Sequence, residues 1–126
     1  MATVLWGEEP DERDYPAAAE YLALLAPDAQ ISEIVAVLKR APIVHKKAKD
    51  LLRASCLALL PIDNPHVQRD LKKIKKKTAL SPILVVRGDL NTGVAMQIAD
   101  GYHRVCASYY TDENTDIPVR IVPATR

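Results

Sequence analysis

A chain of 126 residues, 48% hydrophobic and 26% charged, is long enough for one core and too short for two domains of ordinary size, and its composition argues against disorder. A formal net charge of +1 excludes nucleic-acid binding driven by the global field, so any such role would rest on a local patch. The two cysteines, Cys56 and Cys106, show no C-x-x-C spacing and no neighbouring histidine at zinc-ligand spacing, which excludes a disulfide framework and reads as two small buried hydrophobes.

Residues 1–13 form an acidic arm interrupted by Pro10, with no basic leader and no long apolar run. No signal peptide or membrane span is expected, and a cytoplasmic protein is. Val4, Leu5 and Trp6 lie in an arm too short for its own core, so docking on a second copy, a homodimer, is the expected assembly. From Asp14 the spacing predicts a helix: Asp14 can cap it, Pro16 suits its first turn, and Ala18, Tyr21, Leu22 and Leu25 recur on one face before Pro27. Asp28 opens a second helix whose stripe Ile31, Ile34, Val35 and Leu38 must bury against a neighbour, and Pro42 ends it. A third helix is predicted over 43–55, with Val44, Ala48, Leu51 and Leu52 inward. A helix-turn-helix across Arg40-Ala41-Pro42 is the less favoured reading, because this segment offers mainly lysine, which positions phosphates without reading bases.

The apolar run 57–60, closed by Pro61, predicts a buried strand. Asp63-Asn64-Pro65 then reads as a helix entry, followed by Val67, Leu71 and Ile74 at helical spacing. Lys72, Lys73, Lys75, Lys76 and Lys77 fall mostly on the outer face, where a solvated surface is favoured over a nucleic-acid patch, since no aromatic residue interleaves with them. Residues 82–87 and 94–99, joined by the turn-rich 88–93, predict a hairpin. A helix over 102–110, a polar loop over 111–116 and a last strand over 117–122 complete the chain.

The stretch Ile98-Ala99-Asp100-Gly101-Tyr102-His103-Arg104 places a strand end, a tight turn and a helix start in succession. Amides of a first helical turn lack intrahelical partners and carry partial positive charge, so a phosphate is stabilised there, and Gly101 permits close approach. Cations at that end cost about 0.3–1 kcal/mol, so His103 and Arg104 make sense if something negative sits beside them. Tyr102, Val105, Cys106 and Tyr109 share one helix face; Arg104 and Ser108 point the other way, leaving Arg104 to reach outward as a planar fork for phosphate or carboxylate. The bland alternative is a common D-G turn and a solvated arginine.

Asp100-Gly101-Tyr102-His103-Arg104 with Ala107, set between Pro82-Ile83-Leu84-Val85-Val86 and Ile117-Pro118-Val119-Arg120-Ile121 and preceded by Leu60-Pro61-Ile62-Asp63-Asn64-Pro65, resembles the ParB/sulfiredoxin superfamily over about residues 57–122. The resemblance implies an α+β fold: one domain over 1–126, with a three-helix region over 1–56 ahead of a nucleotide-binding core over 57–122. Its small mixed sheet would come from 57–60, 82–87, 94–99 and 117–122. It further implies that Gly101, Tyr102, His103 and Arg104 bind a nucleoside triphosphate, ATP or CTP with Mg²⁺, and that Asp100 shapes the turn or helps hold the metal. Tyr102 stands where sulfiredoxins carry their reactive cysteine, which removes the nucleophile of that chemistry. Four residues follow Val122, so the DNA-binding and dimerisation segments of partition clamps are not expected. Two readings remain: a phosphotransferase or nucleotide hydrolase with Asp63 as base toward an incoming hydroxyl, and a non-catalytic DNA-associated or regulatory module.

Overall fold

The computed structural model describes residues 3–123 as an α+β structure. Its elements are α1 (Asp14–Leu22), α2 (Asp28–Arg40), β1 (Ile43–Lys47), α3 (Ala48–Ser55), α4 (Pro65–Lys75), β2 (Ile83–Arg87), β3 (Gln97–Asp100), α5 (Tyr102–Thr111) and β4 (Asp116–Pro123). The strands form one mixed sheet in the order β1-β4-β2-β3, antiparallel except for the parallel pair β2–β4. The β2–β3 hairpin and α5 make up the crossover that permits this parallel pairing.

Side-chain alternation along the strands divides the core into two layers. Leu84, Val86, Ala99 and Val122 bury against Tyr15, Ala18 and Leu22 of α1 and Ile31, Ile34 and Leu38 of α2. Ile83, Val85, Ile98, Ile117 and Val119 face the other way, onto α3, α4 and α5. The stripe on α2 therefore finds the partner that its exposure would demand. Arg120, on the α2 side of β4, donates to the carbonyls of Leu38 and Lys39, satisfying acceptors at the end of that helix. On α1 the apolar stripe is shorter than predicted: the helix ends at Leu22, and Leu25 is exposed.

Two predicted elements are corrected. Residues 43–47 are an edge strand, not the start of a helix, and α3 begins only at Ala48. Pro42 breaks the helical run, the β-branched pair Ile43-Val44 suits a strand, and the exposed Lys46 and Lys47 suit an unpaired edge. Residues 57–60 are not a strand. Hydroxyls from α5 hold them instead, Tyr102 donating to the Ala58 carbonyl and Tyr110 to that of Leu60 at 2.6 Å. The second hairpin strand also starts later than 94, because the Met96 amide donates to the Ala54 carbonyl of α3 rather than to β2.

The arm folds onto its own chain. Val4 is buried in the core and Trp6 packs against it; the Leu80 amide donates to the Leu5 carbonyl and the Gly7 amide to that of Leu80. Cys106 is buried as expected, but Cys56 is exposed, in left-handed conformation at the end of α3. No helix among the described residues is long and apolar enough to cross a membrane.

Candidate functional site

A pocket of about 470 Å³ opens where β3 gives way to α5, with the start of α1, the segment before β2 and one face of α4 completing its walls. Gly101 makes the junction: its φ of 112° is strained for other residues, and a Cβ there would lie 2.3 Å from Ile83 Cδ1 and 2.9 Å from Arg104 Nη2. The missing side chain is what lets the Arg104 guanidinium fold back over the turn. As the residue preceding α5, Gly101 supplies no side-chain cap, so the first amides of the helix keep their bonding capacity.

Arg104 does not reach outward as its helical position suggests. Nη2 donates to Asp100 Oδ2 at 2.6 Å, while Nη1 donates to Ser81 Oγ and lies 3.4 Å from Asp14 Oδ2; Ser81 Oγ in turn donates to Asp14 Oδ2 at 2.8 Å. The side chains of Arg104, Asp14 and Asp100 are 14%, 15% and 19% exposed, so this is a largely dry network. The negative partner sought for the basic pair is thus the protein's own. Burial pushes Asp100 up to about 6 against the pull of Arg104, with the adjacent Asp14 carboxyl adding to the rise. Ser108, placed with Arg104 on an outer face by the helical wheel, is fully buried, because α5 packs against α3 and α4 as well as the sheet.

The α4 wall contributes Arg69, Asp70 and Lys73. Asn64 caps this helix, its Oδ1 accepting from the His66 and Val67 amides at 2.9 and 3.2 Å, and Pro65 occupies the first turn, as the sequence predicts. Arg69 and Lys73 sit four residues apart on the same face and have no ion-pair partner among the described residues. Asp70 is buried. Burial pushes its carboxyl up, opposed by the fields of Arg104, Arg69, Lys73 and His103. His103 lines the pocket from α5, its ring centroid 4.7 Å from that of His66. Burial holds its imidazole below the ordinary range, and His66 beside it works in the same direction.

Of the residues singled out in the sequence, Asp100, Gly101, His103 and Arg104 meet at the pocket. Tyr102 turns its hydroxyl to the 57–60 segment instead. Asp63 is exposed in the turn before α4 and does not line this pocket. Of the basic run only Lys73 reaches the pocket; Lys72, Lys75, Lys76 and Lys77 are exposed at the end of α4, where cations also complement the helix dipole. A resident metal does not fit this donor set. Arg104 already occupies Asp100, and no three acidic, histidine or cysteine side chains among the described residues come together to hold an ion.

Sequence reasoning missed Asp14, Arg69, Asp70 and Ser81. For Asp70 a signal existed: it interrupts the apolar stripe Val67, Ile74 at i+3 and i−4, where a carboxylate needs a reason. The comparisons with known proteins do not supply a family: no family model, curated protein or solved structure matches this chain.

Proposed function

We propose that the pocket binds a phosphorylated ligand of nucleotide type, with its phosphates at the start of α5 and against α4. The observation that carries this reading is the unpaired Arg69–Lys73 couple facing the uncapped helix end across the pocket. Like charges at i and i+4 are disfavoured by about 0.2–0.5 kcal/mol, a cost that a shared anion reverses. The resemblance of Asp100-Gly101-Tyr102-His103-Arg104 and its flanking segments to the ParB/sulfiredoxin superfamily supports the same assignment, and points to a nucleoside triphosphate such as ATP or CTP. The role of Arg104 changes in this reading: already neutralised by Asp14 and Asp100, it organises the floor, while Arg69, Lys73 and His103 face the ligand.

Calorimetric titration of ATP, CTP and GTP tests the assignment. Arg69→Ala and Lys73→Ala should each weaken binding about tenfold, since a charge-assisted contact is worth roughly 1.5–3 kcal/mol, while thermal unfolding stays unchanged. Absence of binding by all three nucleotides, or binding by both variants as tight as by the wild type, removes the phosphate role.

A further inference from the structure

Asp70 differs from the other acids of the pocket. Asp14 and Asp100 each accept hydrogen bonds from protein donors, and Asp11 accepts from Arg13. The Asp70 residue is 4% exposed, lines the pocket, and receives no hydrogen bond or ion pair within the described residues. An ionised carboxylate has room for about four donors, and one buried without any is costly. Arg104, Arg69 and Lys73 surround it with positive field. Their charge makes the carboxylate tolerable, yet none of them lies in bonding contact with it. The Asp70 oxygens are not among the enclosed unpartnered atoms of the described residues, so the carboxylate opens onto the pocket, where a ligand can bring the donor that the protein does not.

The class of donor follows from the neighbours. An ammonium or a metal cation at that point would meet the field of Arg69 and Lys73, which no carboxylate pairs among the described residues, a like-charge juxtaposition that selects against it. A neutral hydroxyl suffers no such repulsion. It satisfies the carboxylate by a charge-assisted bond while the phosphate of the same molecule engages the cations. We infer that Asp70 accepts a hydrogen bond from a ribose hydroxyl of the bound nucleotide, so that the pocket selects ribonucleotides over phosphates lacking a hydroxyl. This inference rests on the phosphate-binding reading above and adds the ligand's sugar to it.

The experiment compares ATP and CTP with their dideoxy counterparts, which lack both ribose hydroxyls, and with tripolyphosphate, which carries phosphates alone. Wild type should bind tripolyphosphate and should favour the ribonucleotides over the dideoxy forms by about tenfold, the worth of one charged hydrogen bond. Asp70→Ala should bind the two nucleotide forms equally while keeping tripolyphosphate; Asp70→Asn, which retains an acceptor oxygen in the same shape, should keep part of the preference. Retained tripolyphosphate binding with no preference for the ribose hydroxyls in wild type overturns this inference alone. Loss of tripolyphosphate binding by the wild type overturns it together with the phosphate reading. The wild-type comparison decides even if Asp70→Ala fails to fold.

Discussion

On the floor of the pocket Arg104 is met by Asp14, Ser81 and Asp100, whereas on the α4 wall Arg69, Lys73 and Asp70 face the same space without hydrogen-bond or ion-pair partners among the described residues. The residue types are the same, and their environments separate their roles. A charge that is largely buried and answered within the chain contributes to holding α1, the segment before β2 and α5 together. A charge left unanswered at the edge of a concavity is available to a ligand. Arginine identity alone would have assigned both to binding, and it is the pairing that distinguishes them.

Replacing Arg104 tests this contrast most severely. Arg104→Ala leaves Asp14 and Asp100 facing each other without their cation, and breaking a buried pair from one side costs about 3 kcal/mol or more. Chemical denaturation should show that loss, whereas Arg69→Ala on the exposed wall should stay within about 0.5 kcal/mol of wild type. Equal, small effects of the two substitutions would erase the distinction between floor and wall. The Arg104→Ala deficit should also shrink as the pH is lowered, because protonation of Asp100 removes the repulsion.

A smaller effect concerns Asp100 itself. Its folded-state pKa of about 6 lies above the ordinary 3.8, so the folded protein holds the proton more tightly than the unfolded chain. The stability this provides is fully present below about pH 4 and is lost as pH rises through about 6, an effect on the order of 3 kcal/mol. Asp100→Asn, which keeps an acceptor for Arg104 without the charge, should flatten that decline. Denaturation midpoints measured across the window decide the matter: an unchanged slope in the variant would place the titration elsewhere.

How far the sequence went differs along the chain for physical reasons. The stripe Ile31, Ile34 and Leu38, the Asn64-Pro65 helix entry and the strand 83–87 were legible, because local periodicity and capping determine them. The segment 43–47 was not, because its exposed, lysine-rich run becomes a strand only through pairing with β4, a contact about seventy residues away. At the site, the Asp100-Gly101 turn could be read directly, yet the fate of Arg104 could not. A helical wheel gives direction from a single axis, whereas α5 packs against both α3 and α4 and its Val105 and Cys106 join the core under the sheet, so Ser108 is buried and Arg104 turns to its acidic partners. Asp14, read as a helix cap, instead turns its carboxylate to Ser81 and Arg104, which are distant in sequence.

The smallest expected effect lies at His103, which stands between the two regions: it belongs to α5 but faces the α4 wall. Burial disfavours its imidazolium, and the His66 ring beside it, Arg69 and Arg104 oppose the charge further, while Asp70 favours it. In the free protein the ring is therefore neutral near pH 7 and takes up a proton only below the ordinary range. A bound anion adds a negative charge opposite the ring and raises its affinity for a proton, so by linkage the anion binds more tightly as pH falls. Sulfate is the suitable probe because its charge stays fixed over this range, unlike that of a phosphate ester. Calorimetry in buffers of different ionisation enthalpy should register partial proton uptake on sulfate binding on the acid side of neutrality, and affinity should rise severalfold, about 1 kcal/mol, over one unit of acidification. His103→Gln, which retains a donor without a titrating charge, should bind sulfate with little pH dependence. Proton uptake persisting in that variant would assign the linkage to Asp70, and uptake absent from the wild type would mean that His103 does not face the anion.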